Sequence, residues 1–233
     1  MSDGKDHAVS SPAPGNGAAS RRTRALEAIY TQHVLGIVRA ASASDAKSAA
    51  LALIAGGLRA VELSTSTPGA IEAVADLVES RPDDSVAIGA GTILDRMTAQ
   101  AALIAGADLL VSPVLDLDVI DAAREAGAMV IAGAATPTEA ITAMKAGADL
   151  VKLFPASAFT PAVIEDILQA LPSLQLVPTG GVRLADIPQW LSAGAVAVGL
   201  GGALTSGPPS VIGNAVTRLL GEIHQAANTS LSR

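Results

Sequence analysis

Cysteine and aromatic residues are what this sequence most conspicuously lacks. The 233-residue chain has no cysteine, which excludes disulfide bonds, thiolate metal ligands and a cysteine nucleophile. Aromatic residues make up only 2% of the chain, so there is little on which nucleic-acid bases would stack. The net charge of −7 also argues against a protein that binds a phosphate backbone. We therefore expect no nucleic-acid partner.

Apolar residues, by contrast, are abundant. The chain is 50% hydrophobic and 16% charged, which is too hydrophobic for a disordered protein. Residues 187–217 carry no charge, but glycine and proline interrupt them repeatedly, so they predict a buried strand and a loop rather than a membrane span. Residues 1–20 are polar and lack a secretory signal, and they predict a disordered tail. We expect a cytoplasmic protein without a membrane partner.

A short repeat predicts the fold. Helical stretches end five times in Ala-Gly-(Ala/Gly), and a β-branched run follows each time. Glycine in the left-handed conformation ends a helix, and the spacing, close to 20 residues or its multiples, holds one strand and one helix. The strand candidates are continuous apolar runs, as in strands covered on both faces. They lie at 34–40, 59–63, 85–89, 107–111, 128–132, 149–154, 174–179 and 195–199.

Eight strands alternating with eight helices indicate an α/β protein, a (β/α)8 TIM barrel. A further helix over 21–32 precedes the first strand, so the barrel has an additional N-terminal helix. We expect one domain over 21–227, between the tail at 1–20 and a short C-terminal tail at 228–233. A doubly wound sheet is the alternative, and the eight equal units favour closure into a barrel.

Lys152 is the most informative candidate for catalysis. Active sites of TIM barrels lie at the C-terminal ends of the strands. Within its strand, period-two alternation points Val151 and Leu153 toward the helices and Lys152 into the barrel. Removing an ammonium group from water is costly, and a lysine amine in a dry site attacks carbonyl carbons to form a Schiff base.

Glu62 follows the same alternation, because Val61 and Leu63 flank it. A carboxylate beside a Schiff-base lysine can move protons to and from the carbinolamine and a substrate hydroxyl. The alternative is that Glu62 and Lys152 form a core salt bridge, although such pairs stabilise proteins poorly. The two roles are compatible.

Two glycine pairs end the last two predicted strands. Gly180 and Gly181 follow one strand, and Gly201 and Gly202 follow the next. Glycine lets backbone amides approach an anion closely, and many barrels bind phosphate at this place. The pairs predict a phosphate site, with two tight turns lacking any ligand as the alternative.

Other strand ends carry polar or pocket-lining residues. Arg39 ends the first strand and is either a bidentate carboxylate ligand or a solvent-exposed rim arginine. Thr92 and Pro113 are expected to line the pocket. The three histidines show no metal-ligand spacing, so we expect no metal ion. Residues 89–92 lack the spacing of a P-loop or a dinucleotide fingerprint, and we expect no organic cofactor.

In this order, these residues resemble the class I aldolases of 2-keto-3-deoxy-6-phosphogluconate and 4-hydroxy-2-oxoglutarate, including the phosphogalactonate-type members. The resemblance covers about residues 25–225. Its matching pieces begin at Gly36, Val61, Ile88, Val111, Val151, Val177 and Val198, and read GIVR, VEL, IGAGT, VSP, VKLFPA, VPTGGV and VGLG.

The resemblance implies a homotrimeric lyase that cleaves a small 2-keto-3-deoxy acid, which we expect to be phosphorylated, to pyruvate and glyceraldehyde 3-phosphate. It also allows action on 4-hydroxy-2-oxoglutarate. Lys152 would form the Schiff base and Glu62 would shuttle protons. Thr92, Pro113 and Thr179 would surround the pyruvate part. The four glycines of the two pairs would contact phosphate.

The sequence also departs from the family pattern. Many members carry an arginine shortly after the catalytic glutamate, whereas residues 64–67 here read Ser-Thr-Ser-Thr, which leaves Arg39 to bind the carboxylate. The second glycine pair often reads Gly-Ser, whereas Gly202 stands here. Two alternatives are a phosphosugar epimerase, isomerase or decarboxylase, with or without a metal, and a non-catalytic trimeric scaffold or binding protein derived from the aldolase.

Overall fold

The computed structural model describes residues 20–230, with side chains up to residue 225. Apart from Ser20, the predicted tail at 1–20 therefore lies outside the described residues. The strands are β1 Val34–Val38, β2 Ala60–Ser64, β3 Ala87–Gly91, β4 Leu109–Val111, β5 Met129–Ala134, β6 Leu150–Leu153, β7 Leu176–Pro178 and β8 Val198–Leu200.

Helices connect these strands. They are α1 Arg21–Gln32, α2 Ala43–Ala55, α3 Ala70–Glu79, α4 Arg96–Ile104, α5 Leu117–Glu125, α6 Pro137–Ala146, α7 Pro161–Ala170, α8 Ile187–Ser192, α9 Gly202–Thr205 and α10 Pro209–Ser230. Helix α10 runs three residues beyond the predicted domain end at 227. No helix within residues 20–230 is both long enough and apolar enough to cross a membrane.

The strands form one barrel. Each pairs in parallel with its neighbours in the order β7-β6-β5-β4-β3-β2-β1-β8, and the two end strands meet at a bridge between Thr179 and Gly199. A Cβ atom at position 199 would lie 2.3 Å from the Thr179 hydroxyl, so glycine permits this approach. The predicted (β/α)8 barrel is confirmed, and the doubly wound alternative is excluded.

The barrel has two apolar cores. The larger one lies between the sheet and the surrounding helices. The smaller one fills the barrel interior with alternate strand residues such as Leu35, Leu109 and Met129, and with Ala28 and Ile29 of α1. Helix α1 therefore covers the N-terminal end of the barrel, which confirms the additional helix and leaves the C-terminal end open.

Most strands begin later than the apolar runs predict. The run at 85–89 corresponds to Ala87–Gly91, and the run at 195–199 to Val198–Leu200. Pairing with the neighbouring strands sets these ends, and apolar composition does not encode that register. Polar caps fix where several helices start, as when Asp95 and Thr136 accept hydrogen bonds from the first turns of α4 and α6.

Candidate active site

A cavity of about 620 Å³ opens at the C-terminal end of the barrel. Nine of the ten residues that the sequence predicts for the site line it: Arg39, Glu62, Thr92, Lys152, Thr179, Gly180, Gly181, Gly201 and Gly202. The tenth, Pro113, is not among the lining residues. Its backbone packs against Gly133, where a Cβ atom would lie 2.2 Å from the Pro113 carbonyl carbon.

Glu62 and Lys152 project into this cavity from opposite sides of the barrel. Glu62 is 1% exposed and Lys152 is 6% exposed. The Lys152 Nζ atom lies 3.9 Å from Glu62 Oε1, beyond hydrogen-bonding distance. Glu62 Oε2 is buried without a hydrogen-bond partner among the described residues. The pair is therefore close enough for electrostatic attraction, but its hydrogen-bonding capacity is not used up as in a closed salt bridge.

The surroundings of Glu62 favour its protonated form. Burial raises the pKa of Glu62 above its ordinary value, and the positive charges of Lys152 and Arg39 oppose that rise. Gly91 makes room for the carboxylate, because a Cβ atom there would clash with Glu62 Oε1. A carboxyl group of this kind is suited to both accepting and donating a proton.

The remaining cavity wall is partly apolar and partly hydroxylated. The Phe154 ring lies with its centre 5.5 Å from Lys152 Nζ and covers one side of the amine. Thr179 is buried and donates its hydroxyl hydrogen bond to the Val177 carbonyl. Thr92 carries its hydroxyl on a backbone with φ of 61°. The amine, on a side chain that is 6% exposed, is therefore largely shielded from solvent at the base of an open cavity.

The glycine end of the cavity is built from two left-handed glycines and the ion-paired side chain of Arg183. Gly180 and Gly181 both have positive φ, at 86° and 88°, a region that favours glycine. Arg183 follows two residues later, lines the cavity and holds Asp186 through two hydrogen bonds of 2.7 and 2.8 Å. Because Asp186 offsets the charge of Arg183, the cations that face the single lining carboxylate, Glu62, are Arg39 and Lys152, and this positive excess suits an anionic ligand.

Sequence reasoning did not single out Arg183. Its signal was available, because the residue lies just beyond the predicted phosphate turn. Within residues 20–230, no three His, Asp or Glu side chains come together as they would around a metal ion. The expected absence of a metal and of an organic cofactor stays a prediction.

Comparisons with known proteins identify the family. The family model "KDPG and KHG aldolase" matches residues 26–214. The chain is 35% identical over 179 residues to the 2-dehydro-3-deoxy-6-phosphogalactonate aldolase of Escherichia coli (strain K12). This match covers 76% of this chain and 87% of the E. coli protein. This chain belongs to the KDPG and KHG aldolase family.

Solved structures agree with this assignment. The KDPG aldolase of Legionella pneumophila, determined with pyruvate captured as a covalent carbinolamine, has a TM-score of 0.72 at 26% identity, covering 83% of this chain and 94% of that one. A cube-shaped protein cage designed by fusing symmetric oligomeric domains has a TM-score of 0.80 at 31% identity, covering 86% and 75%.

Family membership makes this protein an enzyme of the lyase class, since aldolases are lyases. It does not favour the epimerase, isomerase, decarboxylase or scaffold alternatives. The inward direction of the lysine and of the glutamate in this aldolase follows from strand alternation.

Proposed function

We propose that this protein is a class I Schiff-base aldolase that cleaves a 2-keto-3-deoxy-6-phospho sugar acid of the gluconate or galactonate type to pyruvate and glyceraldehyde 3-phosphate. The observation that carries the proposal is the buried Lys152 amine, 3.9 Å from a buried glutamate at the base of the cavity. Action on 4-hydroxy-2-oxoglutarate requires the same chemistry.

The reaction begins with attack of the Lys152 amine on the C2 keto carbon. The carbinolamine loses water to give a protonated imine. Glu62 takes the proton of the C4 hydroxyl, directly or through water, and the C3–C4 bond breaks. The electron pair of the C3–C4 bond moves to the imine, which becomes an enamine, and the aldehyde leaves. Protonation of the enamine at C3 and hydrolysis release pyruvate and restore Lys152.

Glu62 is suited to the proton transfers because of its burial. A carboxyl group with a raised pKa is a stronger base once it is ionised, and at a given pH a larger fraction of it is protonated, so a proton is available to be returned. Its unpartnered Oε2 atom leaves an acceptor free for the substrate hydroxyl or for a water molecule.

The two anionic ends of such a substrate match the charge of the cavity. We assign Arg39, with Thr92 and Thr179, to the pyruvate end. The amides of Gly180, Gly181, Gly201 and Gly202 would hold phosphate, with Arg183 beside them. Pro113 would contribute only through the packing of its backbone against Gly133.

Borohydride trapping tests the Schiff base. Pyruvate with borohydride should add one reduced pyruvate adduct, located on Lys152 by peptide mass spectrometry. Lys145→Ala is the matched control, because Lys145 is an exposed lysine of α6, and it should trap like the wild type. Absence of an adduct on folded protein would refute the proposal.

A pyruvate-release assay tests the substrate. The panel comprises both phosphorylated epimers, their unphosphorylated forms and 4-hydroxy-2-oxoglutarate. We expect one of the phosphorylated epimers to have the highest kcat/KM of the panel. A higher kcat/KM for the unphosphorylated acids would contradict the phosphate assignment.

We also propose a homotrimer, as the family resemblance implies, and exposed apolar side chains support an oligomer. Met97 and Ile104 are 78% and 87% exposed and lie seven residues apart, on one face of α4, with the half-exposed Leu94 just before them. Covering this face in an oligomer would remove it from water. Light scattering should give three times the 23.1 kDa chain mass, and Ile104→Lys should lower it. The cytoplasmic location stays a prediction.

A further inference from the structure

Four consecutive hydroxyl side chains follow Glu62 and Leu63, and each has a hydrogen-bond partner. We call residues 64–67, Ser-Thr-Ser-Thr, the hydroxyl segment. Ser64 Oγ lies 2.8 Å from Thr92 Oγ1 and 2.8 Å from Ser66 Oγ. Thr67 Oγ1 accepts from the backbone amide of Ala40 at 3.0 Å and so ties the end of β1 to this loop.

Two members of the segment hold Thr92. Its φ of 61° is unfavourable for a β-branched residue, and such backbones persist where their surroundings fix them. Ser64 contacts the Thr92 hydroxyl, and Thr65 donates its hydroxyl to the Thr92 carbonyl at 2.9 Å. Ser64 is 1% exposed, so its side of this contact is shielded from water. The Thr92 hydroxyl is thus fixed in position within the cavity.

A third member holds Arg39. The Arg39 Nε–H donates to Ser66 Oγ at 3.0 Å. Both residues are exposed, and a free arginine side chain would sample many rotamers. Among the described residues, Ser66 is the one hydrogen-bond partner of the Arg39 side chain, so its two terminal nitrogens remain available to a carboxylate.

We propose that Ser64 and Ser66 are positioning residues that orient Thr92 and Arg39 toward the carboxylate and keto oxygens of the pyruvate part. This rests on the proposed function. The segment carries no charge of its own and acts through the hydrogen bonds of its hydroxyl groups. Its effect is to restrict Arg39 and Thr92 before the substrate binds, which favours binding without any direct contact to the substrate.

The test measures how the borohydride trapping rate depends on pyruvate concentration. Ser66→Ala should raise the pyruvate concentration for half-maximal trapping about fivefold, the size of one modest hydrogen bond, and leave the rate at saturation within about twofold. Ser66→Thr keeps the hydroxyl and should restore the wild-type value. Ser80→Ala removes an exposed hydroxyl that, among the described residues, donates to the α3 backbone carbonyl of Asp76, and it should change nothing.

A double-mutant cycle separates positioning of Arg39 from a general effect on the fold. In an Arg39→Ala background, Ser66→Ala should cause no further change. An equal loss in both backgrounds would overturn the assignment of Ser66.

Ser64→Ala is expected to lower the trapping rate at saturating pyruvate about tenfold through Thr92. Its circular dichroism spectrum and thermal midpoint are compared with those of Ser80→Ala, and an unchanged rate on folded protein would overturn the assignment of Ser64. If the wild type forms an adduct but both Ala variants trap normally, only the positioning fails. If the wild type forms no adduct, the proposed function and the positioning fail together.

Discussion

The two ends of the barrel each bury a carboxylate, but they treat it differently. At the N-terminal end, fully buried Asp108 accepts hydrogen bonds from Arg24 at 2.6 Å, Arg81 at 3.1 Å and the Ile88 amide at 3.0 Å. At the C-terminal end, Glu62 faces Lys152 at 3.9 Å and has one oxygen without a partner among the described residues. Hydrogen bonds to a buried charge offset its desolvation, so Asp108 serves the fold and Glu62 is left with capacity for chemistry.

Removing the cavity lysine should produce the largest effect. Lys152→Ala should lower kcat/KM at least about 1000-fold, because no other lining residue carries a primary amine to form the imine. The assay is pyruvate release, with circular dichroism to establish folding. Activity within tenfold of the wild type would show that the cavity pair is structural, like the Asp108 network.

Disrupting the Asp108 network at the N-terminal end of the barrel should lower stability and leave catalysis unchanged. Asp108→Asn should lower the free energy of unfolding by about 3 kcal/mol, because it leaves Arg24 and Arg81 facing a neutral group in a buried site. Urea denaturation measures this, and kcat should stay unchanged. Asp76→Asn is the control, since the Lys47–Asp76 pair is exposed and should cost about 0.5 kcal/mol or less. A large loss of kcat in Asp108→Asn would remove the contrast between the two ends.

Displacing the Glu62 carboxylate tests whether its position matters for activity when the group itself is unchanged. Gly91→Ala places a Cβ atom against Glu62 Oε1 and should lower kcat/KM about 100-fold while both reacting groups remain present. Gly221→Ala is the control, because nothing lies within 4 Å of its added Cβ atom. Wild-type kinetics in Gly91→Ala would mean that the carboxylate position is not critical.

The smallest effect should be a pH dependence of stability. Because the pKa of Glu62 is raised in the folded protein, the folded state holds this proton more tightly than the unfolded state does. Protonated Glu62 therefore makes its whole contribution to the free energy of unfolding below the ordinary glutamate pKa. That contribution is lost as the pH rises through the pKa of Glu62 in the folded protein. Glu62→Gln should gain stability relative to the wild type over that interval, measured by urea denaturation at several pH values. A constant difference across the interval would contradict the raised pKa.

The site residues whose direction is set by strand alternation were predicted from the sequence, and those set by packing between distant segments were not. Glu62 and Lys152 were assigned to the interior because their flanking residues are apolar, and both line the cavity. Pro113 was also assigned to the pocket, but its position depends on packing against Gly133. Strand starts were placed about two residues early in several places, because apolar runs do not encode pairing register.

What the sequence determined by itself is the barrel. The Ala-Gly helix ends and the continuous apolar strands are local patterns, and they suffice for the repeated unit and for the direction of its side chains. Tertiary structure alone decided the 3.9 Å separation of Lys152 and Glu62, the unpartnered oxygen and the contacts of residues 64–67. These depend on residues brought together from strands far apart in the chain, and no local pattern encodes such distances.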